Sequence, residues 1–287
     1  MSSTRFRSHI RATAPSRAAP TDETGAGGDP STGTRERRRP VALAVAAAGL
    51  LLAVLVGLVG LPAGATLFGT PLSDLVVPTA LLCVMAGLWL AAWMSTSRPR
   101  WRVVDIVVAS VLGVAGGFLF LVWNSAWEPV SAIFAAFPPA KALGVGVWLL
   151  PGVLGGLVLR RPGAAVYTEL VAAVLSALVG NQWGFATVWY GFLEGLGAEV
   201  VFALLLFRRW GLPSALAAGA GAGVVVGLLD SFVYYPTFEP AYKTAYVVLA
   251  VVSGIVIAGL GAWALTRALA TTGALAPLAS GRDARRV

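Results

Sequence analysis

Four acidic side chains lie inside stretches of the sequence that are otherwise apolar: Glu169, Glu194, Glu199 and Asp230. An ionisable group is costly to place in a bilayer, so each is a candidate ligand, proton relay or buried structural contact. Tyr190 precedes Glu194 by four residues, which places both side chains on one face of a helix. A carboxylate beside aromatic rings is suited to holding a cation.

Two of these acids have an equally strong structural interpretation. Glu169 lies near the start of its predicted helix beside the basic pair at 160–161, where the helix dipole stabilises a carboxylate. Glu199 shares its helix face with Gly191 and Gly195, small residues that allow another helix to approach closely. A carboxyl group hydrogen-bonded between helices would explain Glu199 as well as a ligand role would.

Aromatic and amide side chains collect at the predicted outer ends of the same helices. Trp123 ends one apolar stretch, while Asn181 and Trp189 flank the turn between two others. The belt of Trp and Tyr at membrane interfaces accounts for the rings alone. Rings together with buried acids favour an outward-facing pocket that stacks a flat molecule and attracts positive charge. The predicted substrate-binding residues are Trp123, Asn181, Trp189, Tyr190, Glu194, Asp230 and Glu169.

The elements that position these residues are membrane helices. The chain of 287 residues is 57% hydrophobic and 12% charged, with a mean hydropathy of +0.80, against about 25% charged residues in a typical soluble domain. A spanning helix needs about 20 largely apolar residues. We predict an all-α polytopic membrane protein with eight such helices, at 41–61, 76–97, 103–123, 143–159, 165–180, 186–207, 213–235 and 244–265.

The basic residues indicate how these helices are oriented. With this threading, 19 of the 21 Lys and Arg residues fall on one side, and Lys141 and Lys243 fall on the other. Positive residues favour the cytoplasmic side, so both termini are predicted to be cytoplasmic. Residues 1–40 form a predicted disordered basic tail, and 283–287 a short C-terminal tail. The net charge of +8 thus reflects topology, and we expect no nucleic-acid partner.

Several classes of chemistry are excluded by composition. The chain has one cysteine, Cys83, and one histidine, His9, so we expect no metal site and no protein-ligated cofactor. It has no GxxxxGK[ST] phosphate loop, and no nucleophile has an evident base. The protein is therefore predicted not to be an enzyme, and any ATP hydrolysis must come from partners.

Three segments carry a resemblance to a known family. They are RRPGAAVYTELVAAVLSALVGN at 160–181, GFLEGLGAEVVFALLLF at 191–207 and TRALATTGAL at 266–275. In order and spacing they resemble the YkoE family, the S components of energy-coupling-factor (ECF) transporters for thiamine or its hydroxymethylpyrimidine precursor. The resemblance implies a six-helix core at 98–282, preceded by two additional transmembrane helices at 41–97.

The family resemblance also implies a mode of action in a bacterial or archaeal cell membrane. An S component captures its vitamin at the outer face and works with a transmembrane coupling protein and two cytoplasmic ATPases. S components dock on the coupling protein through small residues of the first core helix, which here implies Ala109, Gly113 and Gly117. Trp123, Trp189 and Tyr190 would stack on the vitamin.

A second interpretation of the intramembrane acids remains open. Carboxylates in a membrane also relay protons, so the chain could be a proton-coupled secondary transporter of a small cationic heterocycle. Sequence alone does not separate this function from vitamin capture.

Overall fold

The structure is a computed structural model that describes residues 66–67, 70–71, 83–90 and 101–284. The predicted tail at 1–40 and the predicted span at 41–61 lie outside these residues. Of the predicted span at 76–97, residues 83–90 are described, and they are helical. Before them, Thr66–Leu67 pairs antiparallel with Thr70–Pro71.

The rest of the described chain is a helical bundle. Its helices are α1 (Val103–Ala132), α2 (Pro138–Leu159), α3 (Ala164–Val179), α4 (Ala186–Leu204), α5 (Leu212–Val233), α6 (Pro240–Thr271) and the short α7 (Ala279–Ala284). Among the described residues, five helices are long and apolar enough to cross a membrane, and α3 is shorter. This architecture confirms an all-helical membrane protein. The predicted total of eight helices is not confirmed, because it depends on residues outside the described part.

Several helix boundaries differ from the sequence prediction, among them those of α6, which spans Pro240–Thr271 instead of the predicted 244–265. α1 continues to Ala132, well past the predicted end at residue 123, and contains Pro129 in its last turn. α2 begins earlier than predicted, at Pro138, and its first part, Pro138–Val147, is a tighter 3-10 helix. A proline at a helix start loses no hydrogen bond, since the first N–H groups have no partner within the helix.

The small-residue ladder of α1 packs inside the chain, which corrects its predicted role. Ala109 is fully buried. A Cβ added to Gly113 would lie 2.6 Å from Val171 Cβ, and one added to Gly117 would lie 2.7 Å from Leu175 Cδ2. The ladder thus brings α1 against α3 and offers no surface to a coupling protein. The exposed face of α1 carries larger apolar residues instead: Val103, Val107, Val111, Phe118 and Val122.

The contact between α5 and α6 is even closer. A Cβ on Gly219 would meet the carbonyl oxygen of Gly254 at 2.1 Å. At this point α6 changes from α-helical to wider π-helical turns, over Gly254–Leu260. Just before them, Ser253 Oγ donates to the carbonyl of Leu143 at 2.6 Å and accepts from the N–H of Gly146 at 2.9 Å. This hydroxyl ties α6 to the 3-10 part of α2.

Buried carboxylates satisfy backbone groups where helices begin or pass closely. Glu199 accepts hydrogen bonds from the N–H groups of Gly163 and Ala165, which are donors at the start of α3 without a partner in the helix. Glu169 Oε2 accepts from the N–H of Gly152 at 2.6 Å. The structural interpretation of Glu199 therefore matches its geometry.

Residues 83–90 pack on the outside of this bundle. Met85 is buried in an apolar cluster with Leu196 and Val200 of α4 and with Val225 and Leu229 of α5. The region before the core is thus in contact with α4 and α5 through this stretch.

Candidate functional site

A cavity of about 260 Å³ lies at the end of the bundle where α1, α3 and α5 end and α4 begins. Aromatic side chains form much of its lining: Phe120, Trp127, Trp148, Trp183, Tyr190, Tyr234 and Tyr235. The polar side chains that line it are Asn124, Gln182, Thr187, Glu128, Glu194 and Asp230. The volume is near the lower end of the range for small-molecule sites, roughly 300–1,000 Å³.

The indole rings of the cavity pack mainly edge to face. The ring centroid of Trp148 lies 4.7 Å from that of Trp127 and 5.4 Å from that of Trp183. Trp148 Nε1 donates to Asn124 Oδ1 at 2.8 Å, which fixes the rotation of its ring. The aromatic wall is therefore formed in advance of any ligand.

A polar network behind this wall joins α1, α3 and the start of α4. Ser176 Oγ accepts from Asn124 Nδ2 at 3.1 Å and from Asn181 Nδ2 at 3.0 Å. Asn181 Oδ1 accepts from the N–H of Trp183 at 2.9 Å and from Thr187 Oγ1 at 3.2 Å. The Ser176 hydroxyl therefore accepts hydrogen bonds from both amides: Asn124, which bonds to Trp148, and Asn181, which bonds to Trp183.

We expect Ser176→Ala to weaken ligand binding about fivefold while the protein remains folded, because both amides lose their shared acceptor and the indoles are held less firmly. Isothermal titration of the purified protein measures this effect. Ser125→Ala is the matched control, since Ser125 is exposed and its hydroxyl donates to the Leu121 carbonyl of its own helix. Equal affinities for the two variants would contradict a supporting role for Ser176.

The opposite wall of the cavity is acidic. The side chains of Glu194 and Asp230 are 6% and 8% exposed, and Tyr246 Oη donates to Asp230 Oδ2 at 2.7 Å. The rings of Tyr190 and Tyr234 lie 5.3 Å apart, measured between centroids. Burial and the nearby Asp230 carboxylate raise the pKa of Tyr234, at the end of α5, to about 12. Its phenol therefore remains protonated and can donate a hydrogen bond at physiological pH.

The charges around the cavity favour a cation. Glu128, Glu194 and Asp230 all contribute to the lining, and none of the described lining residues is Lys or Arg. Lys141 lies close by, with its Nζ 3.9 Å from the ring centroid of Tyr235. Rings and carboxylates around one small space can hold a flat, positively charged molecule.

The structure brings together some of the residues predicted from sequence and separates others. Tyr190, Glu194 and Asp230 line the cavity. Trp123 packs behind it, with its ring centroid 6.4 Å from that of Trp148, and Asn181 belongs to the supporting network.

Two further predicted residues belong neither to the lining nor to its supporting contacts. Trp189 is 67% exposed and packs edge to face on Phe192, because it is on the face of α4 that points away from the cavity. Glu169 is fully buried, and its Oε2 accepts a hydrogen bond from the backbone N–H of Gly152 in α2.

Sequence reasoning missed several lining residues. Trp127 and Glu128 were missed because α1 was expected to end at 123, and Trp148 was hidden within an apolar stretch. The spacing of Trp123 and Trp127, four residues apart, could have indicated that the helix continues past residue 123, since residues four apart lie on one face of a helix.

Comparisons with known proteins agree with this architecture. Residues 104–225 match a family model described as an ABC-type cobalt transport system, permease component. The chain is 32% identical over 187 residues to the Putative HMP/thiamine permease protein YkoE of Bacillus subtilis (strain 168), a match that covers 65% of this chain and 93% of that protein.

A solved structure is also similar: the crystal structure of an S-component of ECF transporter. It superposes with a TM-score of 0.62 at 31% identity, covering 65% of this chain and 94% of the other. The helical bundle is thus that of an integral membrane transport subunit of the S-component class. Within that class, the chain belongs to the YkoE family. It is a transport component and not an enzyme, as the sequence predicts.

Proposed function

We propose that this chain is the substrate-capture subunit of an ATP-driven ECF-type vitamin importer and that it binds thiamine or hydroxymethylpyrimidine in the cavity between α1, α4 and α5. The observation that carries the proposal is an aromatic wall facing buried carboxylates. The YkoE protein of Bacillus subtilis, whose name includes HMP and thiamine, supports the choice of ligand.

The chemistry of the ligand fits the two walls. The thiazolium ring of thiamine is a permanent cation, which the tyrosine faces and Glu194 or Asp230 would stabilise. The aminopyrimidine ring, which both ligands share, is flat and can stack on either Trp148 or Trp183, whose rings stand at 89° to each other. Its amino and ring nitrogen groups can pair with a carboxylate or an amide.

The proposal includes the orientation of the subunit in the membrane and its partner proteins. The ligand pocket faces outward and both termini are cytoplasmic, in keeping with the 19-to-2 distribution of basic residues. The core at 98–282 follows the tail at 1–40 and the additional helices at 41–97. A coupling protein and two ATPases would supply transport energy.

Binding to the purified full-length protein tests the ligand assignment. We expect thiamine and hydroxymethylpyrimidine to bind saturably at a single site in isothermal titration, and a cationic thiazole without the pyrimidine to bind at least tenfold more weakly. Saturable binding of neither ligand would overturn the assignment.

A proton-coupled secondary transporter is the second candidate, favoured by the buried acids Glu169, Glu194 and Asp230. Uptake in cells separates the two functions. ECF-type transport requires the partner ATPases, so it is lost when their phosphate loops are mutated. Uptake that survives this change but stops with a protonophore would favour the secondary transporter.

A further inference from the structure

A basic side chain lies directly beside the ligand pocket, next to one of its aromatic rings. Lys141 belongs to the 3-10 segment that begins α2, and it is not part of the pocket lining. Its Nζ lies 3.9 Å from the ring centroid of Tyr235, which does line the pocket, and 5.9 Å from that of Phe238. The ammonium group is therefore one side chain away from the interior of the pocket.

The ring that holds this ammonium group is itself packed between other aromatic side chains. Phe238 stacks on Tyr235, with the ring centroids 4.8 Å apart and the planes at 15°, and the centroid of Tyr246 lies 5.1 Å away. A cation over the face of an aromatic ring is attracted to it. The contact therefore fixes the positive charge of Lys141 at a defined place beside the pocket.

The charge of Lys141 acts on the acids of the pocket. Asp230 and Glu128, which both contribute to the lining, attract its ammonium group electrostatically, and Lys141 acts in turn on Asp230. Asp230 is buried, so water and salt screen this interaction little. A cationic ligand in the pocket would share the field of Asp230 with Lys141 and would be repelled by the ammonium group, whereas an uncharged ligand would not.

We propose that Lys141 sets the charge selectivity of the pocket by lowering its preference for a cationic ligand over an uncharged one. This inference rests on the proposed function, in which thiamine and hydroxymethylpyrimidine bind at the same site. Thiamine carries a permanent positive charge on its thiazolium ring, whereas hydroxymethylpyrimidine presents the aminopyrimidine ring without that charge. Lys141 thus weakens the binding of thiamine alone, which brings the two affinities closer together and allows one subunit to capture both molecules.

Isothermal titration of the purified full-length protein with each ligand tests this role. Lys141→Met removes the charge and keeps an unbranched apolar side chain. We expect its affinity for thiamine to rise at least about fivefold and its affinity for hydroxymethylpyrimidine to change less than twofold. Lys141→Arg keeps a positive charge that can stack on the ring, so it should leave the ratio of the two affinities within a factor of two of that in the unchanged protein.

Lys243→Met is the matched control. The Nζ of Lys243 lies 4.8 Å from the ring centroid of Phe232, so this lysine makes the same kind of contact with an aromatic ring. Neither Lys243 nor Phe232 belongs to the pocket lining. The ratio of the two affinities should therefore stay within a factor of two when this charge is removed.

The ratio of the two affinities decides the outcome. A ratio that moves less than twofold in Lys141→Met, as an equal change for both ligands would give, overturns the inference, and so does an equal shift in Lys243→Met. Either result leaves the proposed function intact, because the unchanged protein still binds both ligands. Absence of binding by the unchanged protein would overturn the proposed function itself. Thermal unfolding in detergent verifies that each variant is folded, and Lys141→Gln provides a second variant without the charge.

Discussion

Replacing Glu194 with glutamine is expected to weaken thiamine binding tenfold or more. Glu194 lines the pocket and is 6% exposed, so little water screens its charge from a bound cation. A charge-assisted contact contributes about 1.5–3 kcal/mol, and 1.4 kcal/mol corresponds to a factor of ten in affinity. Glutamine keeps the size and one acceptor oxygen but removes the charge. Isothermal titration at neutral pH measures the change.

The same substitution also separates the two ligands. Hydroxymethylpyrimidine lacks the permanent cation, so Glu194→Gln should reduce its affinity less than that of thiamine. Glu239→Gln is the control, because Glu239 is exposed at the start of α6 and outside the pocket lining. If thiamine affinity in Glu194→Gln stayed within a factor of two of the unchanged protein, Glu194 would not be a ligand.

Replacing Gly219 with alanine is expected to have the largest effect on stability. The new Cβ would lie 2.1 Å from the carbonyl oxygen of Gly254 and 2.8 Å from the backbone nitrogen of Gly259. Both atoms belong to the backbone of α6, so α5 and α6 must move apart. Overpacking of this kind costs about 1–3 kcal/mol, which corresponds to a fall of roughly 5 °C in the unfolding temperature of a chain of this size. Thermal unfolding in detergent measures it.

Gly261→Ala provides the matched control, on the neighbouring helix α6. The nearest atom to a Cβ at Gly261 is Leu150 Cδ1 at 3.2 Å, the end of a side chain that can rotate. Alanine also favours a helix more than glycine does, so the unfolding temperature should change little or rise. A similar fall in both variants would mean that the effect comes from replacing any helical glycine with alanine and not from the close approach at Gly219.

The helical membrane fold was predictable because it depends on properties that each segment carries alone. Apolar length identifies a span without reference to its neighbours. The start of α2 was harder to predict, because residues 138–147 form a 3-10 helix that is held partly by hydrogen bonds to Ser253 of α6. Contacts between distant segments cannot be read from the local pattern.

Part of the candidate site was also predictable, because some of its residues stand out within a single segment. Glu194 and Asp230 stand out as acids in apolar stretches, and Tyr190 follows from its spacing to Glu194. Glu169 looks identical in sequence, yet its carboxylate bonds to Gly152 and does not line the pocket. The difference lies in helix rotation, which the position of an acid within a helix does not reveal.

The glycine ladder of α1 shows a second property that sequence spacing does not determine. Small residues four apart correctly indicate that another helix approaches closely. They do not indicate whether that helix belongs to the same chain, and here Gly113 and Gly117 contact α3. A docking surface cannot be inferred from such spacing alone.

The π-helical turns of α6 have a consequence for both ends of the molecule. Tyr246, before these turns, bonds to Asp230 of the ligand pocket, whereas Arg267, after them, lies near the other end of the bundle beside Trp263. Each residue of an α-helix rotates its direction by about 100°, while wider turns rotate it less. The Gly254–Leu260 segment therefore sets the angular phase between the two halves of one helix. Insertion or loss of one residue there would turn one half out of register while the other kept its neighbours.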